Sequence, residues 1–200
     1  LGETIITGIG QGYIQTTPIQ LCLMTAQIAN GGYRVKPRLI FGEEDLENNL
    51  TELKQTNLNE VFGQVASKPL FRNQENINFI KEAMFASSNE VGGTSYASRL
   101  NDEKFTFAGK TGSSQIKRFT EEQREAEVKQ KDIEYLSRDH ALFVAFAPYK
   151  NPKYAISVLI EHGGSGSSSA APVAKKVIKK VIERDNLRNL QKNKFVSKEI

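Results

Sequence analysis

Phe105-Thr106-Phe107-Ala108-Gly109-Lys110-Thr111-Gly112-Ser113-Ser114-Gln115 is the stretch on which the rest of the chain turns. Phe105, Phe107 and Gly109 recur at every second position, the period of a strand. Two apolar, β-branched-rich runs follow, Ala141–Ala147 and Tyr154–Ile160. Ala147-Pro148-Tyr149-Lys150-Asn151-Pro152 between them has the residues of a hairpin turn. Gly163–Ser169 reads as a flexible Gly/Ser loop. From Pro172 a helical pattern takes over. Val173, Val177, Ile178, Val181 and Ile182 form its apolar stripe, and Lys175, Lys176, Lys179 and Lys180 its opposite face.

Upstream, Thr17-Pro18-Ile19-Gln20 has the chemistry of a helix start. Thr17 caps, Pro18 suits the first helical position and Gln20 completes a capping box. Ile19, Cys22, Leu23, Ala26 and Ala29 then recur at helical spacing until Gly31-Gly32. Val35–Phe41 reads as a strand and residues 42–60 as a polar, acidic loop. Ile77–Ser87 reads as a second helix, with Ile77, Ile80, Lys81 and Met84 on one face. Asn89–Ser98 is a Gly- and Ser-rich connection. Helices first, then three strands, then a covering helix is an α+β layout with an antiparallel sheet.

Two hundred residues, 38% hydrophobic and 25% charged, suit about one globular domain, residues 1–200, with 185–200 as a polar tail. The net charge of +4 is too mild to argue for nucleic acid. From Val173 to Ile200 there are nine Lys+Arg and three Asp+Glu, which reads as a solvated helix face rather than a membrane contact. Cys22 is the single cysteine, so no intrachain disulfide forms. No run approaches the length of a membrane span. The chain begins at Leu1 and opens directly into a Gly-rich segment, so a piece of a longer protein is expected.

Lys110-Thr111-Gly112 is where chemistry is expected. A strand edge offers backbone N–H groups to an acyl carbonyl, and a glycine lets a substrate approach the backbone closely. Lys110 adds positive charge near a substrate carboxylate or a catalytic hydroxyl. Thr111 offers a hydroxyl to that carboxylate, and the N–H of Ser113 would point into an oxyanion site. Taken alone, the tripeptide reads more readily as a solvent-exposed strand end.

Its company decides the matter. Lys-Thr-Gly is one of three motifs shared by serine β-lactamases and penicillin-binding proteins. Gly8-Ile9-Gly10-Gln11-Gly12-Tyr13 with Thr16-Thr17-Pro18-Ile19-Gln20-Leu21, and Gly92-Gly93-Thr94-Ser95, resemble segments of class B penicillin-binding proteins. Arg138-Asp139-His140, Phe146-Ala147-Pro148 and Glu161-His162-Gly163-Gly164 resemble the elongation-specific branch of that family. The resemblance is weaker over 42–75 and beyond 185.

That resemblance implies a partial β-lactamase/transpeptidase-like domain. It implies a D-alanyl-D-alanine transpeptidase acting on peptidoglycan stem peptides through a serine acyl-enzyme, trapped by β-lactam antibiotics, with no cofactor or metal. It places Lys110 and the Ser113 N–H in catalysis and Thr111, Gly112 and Ser113 against substrate. The implied setting is the periplasmic face of the bacterial inner membrane. The implied partners are the N-terminal half of the same protein, a membrane glycosyltransferase and other elongation proteins. A septal transpeptidase, a β-lactam sensor and a non-catalytic scaffold of the same fold are the alternatives.

The nucleophile is not expected here. Ser114-Gln115-Ile116-Lys117 fits Ser-x-x-Lys in letters, but in a strand residues three apart point to opposite faces. Ser87-Ser88-Asn89 fits Ser-x-Asn, but reads as a polar helix terminus. The serine, its lysine and the second motif are expected before Leu1, so these 200 residues alone should not acylate.

Other features are weaker. Gly8, Gly10 and Gly12 lack the spacing of a dinucleotide fingerprint and mark tight backbone packing instead. His140 and His162 do not cluster with Cys22, so no metal site is assigned. His140 reads as structural, with Asp139 bonding its ring or pairing with Arg138, and a catalytic role is the alternative. His162 stands where family members often carry Asn. The charged 117–139 segment reads as a solvated short helix, with a place at the mouth of the site as the alternative.

Overall fold

A computed structural model describes residues 2–8, 10, 12, 14–35, 37, 69–116 and 130–196. Its helices are α1 (Gly2–Gly8), α2 (Pro18–Ala29), α3 (Gln74–Asn89) and α4 (Ala171–Val196). Its strands are β1 (Ala108–Ser114), β2 (His140–Ala147) and β3 (Tyr154–Ile160). They form one antiparallel sheet in the order β1-β2-β3. The α+β reading holds. Most of the strand expected at Val35–Phe41, all of the 42–60 loop and residues 117–129 lie outside the described residues.

Local chemistry explains where the first helices begin and end. The Thr17 hydroxyl accepts from the Gln20 N–H at 3.3 Å, and the Gln20 side chain accepts from the Thr17 N–H at 2.8 Å. Two orphan donors at the start of α2 are thereby satisfied. Gly31 and Gly32 follow with φ +90 each, a region that L side chains rarely adopt. Asn73 caps α3 by accepting from the Glu75 N–H at 2.9 Å.

The sheet is sandwiched. Helices α2 and α3 pack on one face and α4 on the other. Strand alternation sends Ala141, Phe143 and Ala145 towards Ala171, Ala174, Ile178 and Ile182 of α4. Phe107 meets Phe143 edge-to-face with ring centroids 6.0 Å apart. On the other face Phe146 and Ala108 pack with Ile28, Ala29 and Met84. Each fully buried phenylalanine contributes roughly 2–3 kcal/mol of transfer free energy.

Two expectations need correction. The α4 stripe is displaced: Ala171, Ala174, Ile178 and Ile182 are buried, whereas Val173, Val177 and Val181 are about two-fifths exposed, at 40%, 42% and 37%. Ala171 and Ala174 let the start of α4 sit close to the sheet, while Ile178 and Ile182 of the expected stripe are buried as expected. The segment 163–169 is not a loose linker. Gly166–Ala170 forms a wide helical turn leading straight into α4, with Gly166 and Ala170 buried.

Candidate active site

Strand β1 lies at the edge of the sheet among the described residues, and its contacts with α3 fix its hydrogen-bond directions. Asn89 Nδ2 donates to the Phe107 carbonyl at 2.8 Å, and the Ser88 hydroxyl donates to the Gly109 carbonyl at 3.3 Å. Both donors sit on α3, so odd-numbered backbone groups of β1 face away from β2. Alternation then puts the N–H and C=O of Thr111 and Ser113 on that same open edge. Lys110 Nζ donates to the Thr111 carbonyl at 2.8 Å. The Ser113 N–H therefore points out of the sheet edge.

That edge borders a groove of about 620 Å³. Lys110 through Gln115, His140 and Leu142 line it from the sheet, and Gly10, Gly12, Ile14 and Thr16 from the segment before α2. The structure thus brings all four predicted site residues, Lys110, Thr111, Gly112 and Ser113, to one groove. Gly112 leaves open space: a Cβ there would meet only the Leu142 Cβ, at 3.5 Å. Gly109 is different. A Cβ would fall 2.4 Å from the Phe143 ring, so glycine is required for strand packing.

A line of hydroxyls supports Thr111. Thr111 Oγ1 lies 3.0 Å from Thr94 Oγ1, which lies 3.2 Å from Ser87 Oγ. Ser95 in turn hydrogen-bonds Ser88 at 3.0 Å. Gly92-Gly93-Thr94-Ser95 therefore fastens the end of α3 to β1. Gly93 permits this because a Cβ would collide with the Ser87 carbonyl at 2.4 Å. Sequence reading singled out both segments, but not the hydroxyl contact that joins them.

The decoys resolve in line with their geometry. Ser88 is fully buried, and Ser88 and Asn89 are spent on β1 carbonyls and on Ser95. Ser114 is an exposed residue of β1, not part of a helix. Cys22 Sγ contacts the Ala155 carbonyl at 3.5 Å, and burial pushes its thiol above the ordinary range. Among the described residues no His/Cys/Asp/Glu cluster is suited to a metal ion.

The Arg138-Asp139-His140 segment is tied differently from the expectation. The partner of the Asp139 carboxylate is Gln130, whose Nε2 donates to Oδ2 at 2.9 Å while its Oε1 accepts from the Asp139 N–H at 3.0 Å. Asp139 Oδ1 is buried without a hydrogen-bond partner among the described residues. Burial raises the Asp139 carboxyl above its usual range, partly offset by the Ile116 backbone, His140 and Gln130. The ring of His140 accepts at Nδ1 from the His162 backbone N–H at 3.0 Å. His162 has φ +53, a left-handed conformation that Asn tolerates better than most residues. Neither Gln130 nor this backbone contact has a signal in the sequence.

Fold and groove together define the class. The family model for the penicillin-binding protein transpeptidase domain matches residues 2–179, and the chain belongs to that family. Its relatives include the peptidoglycan D,D-transpeptidase MrdA of Salmonella typhimurium, 33% identical over 177 residues, and that of Haemophilus influenzae, 34% identical over 181 residues. Each alignment covers 88% of this chain, which spans about a quarter of those relatives' length, 26% and 25%. Among solved structures, penicillin-binding protein 2 of Helicobacter pylori in complex with MreC matches with TM-score 0.68 and 31% identity, covering 91% of this chain and 28% of that one. Pseudomonas aeruginosa PBP2 in complex with WCK 5153 matches with TM-score 0.62 and 34% identity, covering 88% of this chain and 32% of that one.

Proposed function

We propose that these residues form the substrate-binding wall of a peptidoglycan D,D-transpeptidase of the elongation type. In this reading a stem peptide lies along the open edge of β1. Thr111 and Lys110 meet its terminal carboxylate. The Ser113 N–H stabilises the oxyanion that forms when a serine attacks the penultimate D-alanine carbonyl. The serine bonds to the acyl carbon, the terminal D-alanine leaves with a proton, and an amine of a neighbouring strand then displaces the serine. The serine and its lysine belong to sequence outside Leu1–Ile200.

The observation that carries the reading is the outward direction of the Thr111 and Ser113 backbone groups over the groove, next to Lys110. Relatives named MrdA and the PBP2 structures support the elongation assignment. With it go a place at the periplasmic face of the inner membrane and an elongation-complex partner, as the Helicobacter pylori protein has in MreC. No described helix is long and apolar enough to cross a membrane, so none of them is the anchor.

The test is release of D-alanine from a pentapeptide donor by the full-length protein. Turnover by the wild type, reduced at least about a hundredfold by Lys110→Ala, is the expected result. Turnover unaffected by that substitution would remove β1 from the site.

A further inference from the structure

The geometry points to His140 as a further substrate-binding residue, a hydrogen-bond donor for the part of the donor peptide that precedes the acylated residue. This inference rests on the transpeptidase reading and adds a residue to it.

Directly opposed residues of an antiparallel pair share a face. Lys110, Gly112 and Ser114 therefore project with Val144, Leu142 and His140 towards the groove. Lys110 and the Ser114/His140 pair stand about 14 Å apart along β1 at the rise of an antiparallel strand. Between them lie Thr111, assigned to the terminal carboxylate, and Ser113, assigned to the acyl oxygen. A peptide bound in that order continues past Ser113 to reach His140 with its upstream residue.

The tautomer of His140 is fixed. A backbone N–H can only donate, so the contact from His162 makes Nδ1 an acceptor. The proton of the neutral ring is then on Nε2. The His162 ring, 5.0 Å away by centroid, has its own Nδ1 3.4 Å from the Arg138 carbonyl. His140 lines the groove and His162 does not; with Nδ1 engaged by His162, Nε2–H is the donor that the ring has left to offer. Among the described residues that N–H has no hydrogen-bond partner.

The backbone of His162 holds this arrangement at a cost. A non-glycine residue at φ +53 is unfavourable, and such conformations persist where the surroundings over-determine them. Here the conformation aims the His162 N–H at Nδ1. The chemistry that Nε2–H selects is an oxygen acceptor, a carbonyl or a carboxylate, on the residue preceding the acylated one.

Two substitutions separate binding from structure. His140→Asn keeps an amide oxygen near the Nδ1 position, still able to accept from His162, but loses the outward donor. His140→Gln restores an amide N–H near the Nε2 position. The full-length protein is assayed on a pentapeptide donor and on 6-aminopenicillanic acid, a penicillin nucleus with no acyl side chain to reach upstream. Asn should raise KM for the pentapeptide about tenfold with kcat within about twofold, and leave acylation by the nucleus within about twofold. Gln should recover most of KM. Equal losses on both probes, or an unchanged pentapeptide KM, would overturn the proposal. A wild-type protein inert towards both probes would overturn the transpeptidase reading itself, and that result needs no His140 variant.

Discussion

Gly166 rests on the backbone of Gly112: a Cβ at Gly166 would lie 2.6 Å from the Gly112 carbonyl oxygen and 2.4 Å from that of Leu142. The turn that opens α4 is therefore seated on the strand that carries the Lys110-Thr111-Gly112 motif. Gly166→Ala must push the two apart. The expected cost is about 1–3 kcal/mol in denaturant unfolding of the full-length protein, together with a fall of about tenfold in β-lactam acylation as Ser113 shifts. Ser168→Ala, exposed in the same turn, should leave both unchanged. Normal acylation in Gly166→Ala would show that β1 is positioned without this contact.

The end of α3 is a tie rather than a second catalytic motif. Asn89 Nδ2 bridges the Phe85 and Phe107 carbonyls, 2.9 and 2.8 Å away. Asn89→Ala removes both bonds and should cost about 1–3 kcal/mol. Urea unfolding checks the stability. Acylation measured on the folded fraction should change less than about threefold, whereas a loss beyond a hundredfold would mark Asn89 as part of the chemistry.

These ties show what could and could not be read from sequence. The capping box at Thr17 and Gln20, the helix stop at Gly31-Gly32 and strands β2 and β3 rest on local chemistry and periodicity, and all are present. The site strand was legible for the same reason. Gly163–Ser169 was misjudged because glycine signals both freedom and close approach, and composition does not distinguish them. At Gly166 close approach is the use made of it. The valines of the α4 stripe were misjudged, though Ile178 and Ile182 were not, because hydrophobicity ranks Val173 above Ala174 while the close approach of the helix start to the sheet selects the smaller residue. The His162-to-His140 contact is made by a backbone N–H, which no side-chain pattern encodes.

Asp139 gives a pH dependence with a definite sign. Its folded-state pKa is raised above the ordinary 3.8, chiefly by burial. A carboxyl raised on folding favours the folded state below its unfolded pKa, and that contribution is lost as pH rises through the folded value. Asp139→Asn keeps an acceptor for Gln130 and removes the charge that burial disfavours. Melting temperatures of the wild type and Asp139→Asn, compared from about pH 3 to pH 7, should diverge in favour of the variant as pH rises. Convergence over that range would contradict the assignment.

The central claim is that β1 binds the acyl donor while the attacking serine lies elsewhere in the protein. Labelling the full-length protein with a fluorescent penicillin and mapping the adduct by peptide mass spectrometry tests it most directly. The account predicts an adduct on a serine outside residues 1–200, abolished or slowed at least about a hundredfold by Lys110→Ala and retained in Ser114→Ala. An adduct on Ser114 would contradict it.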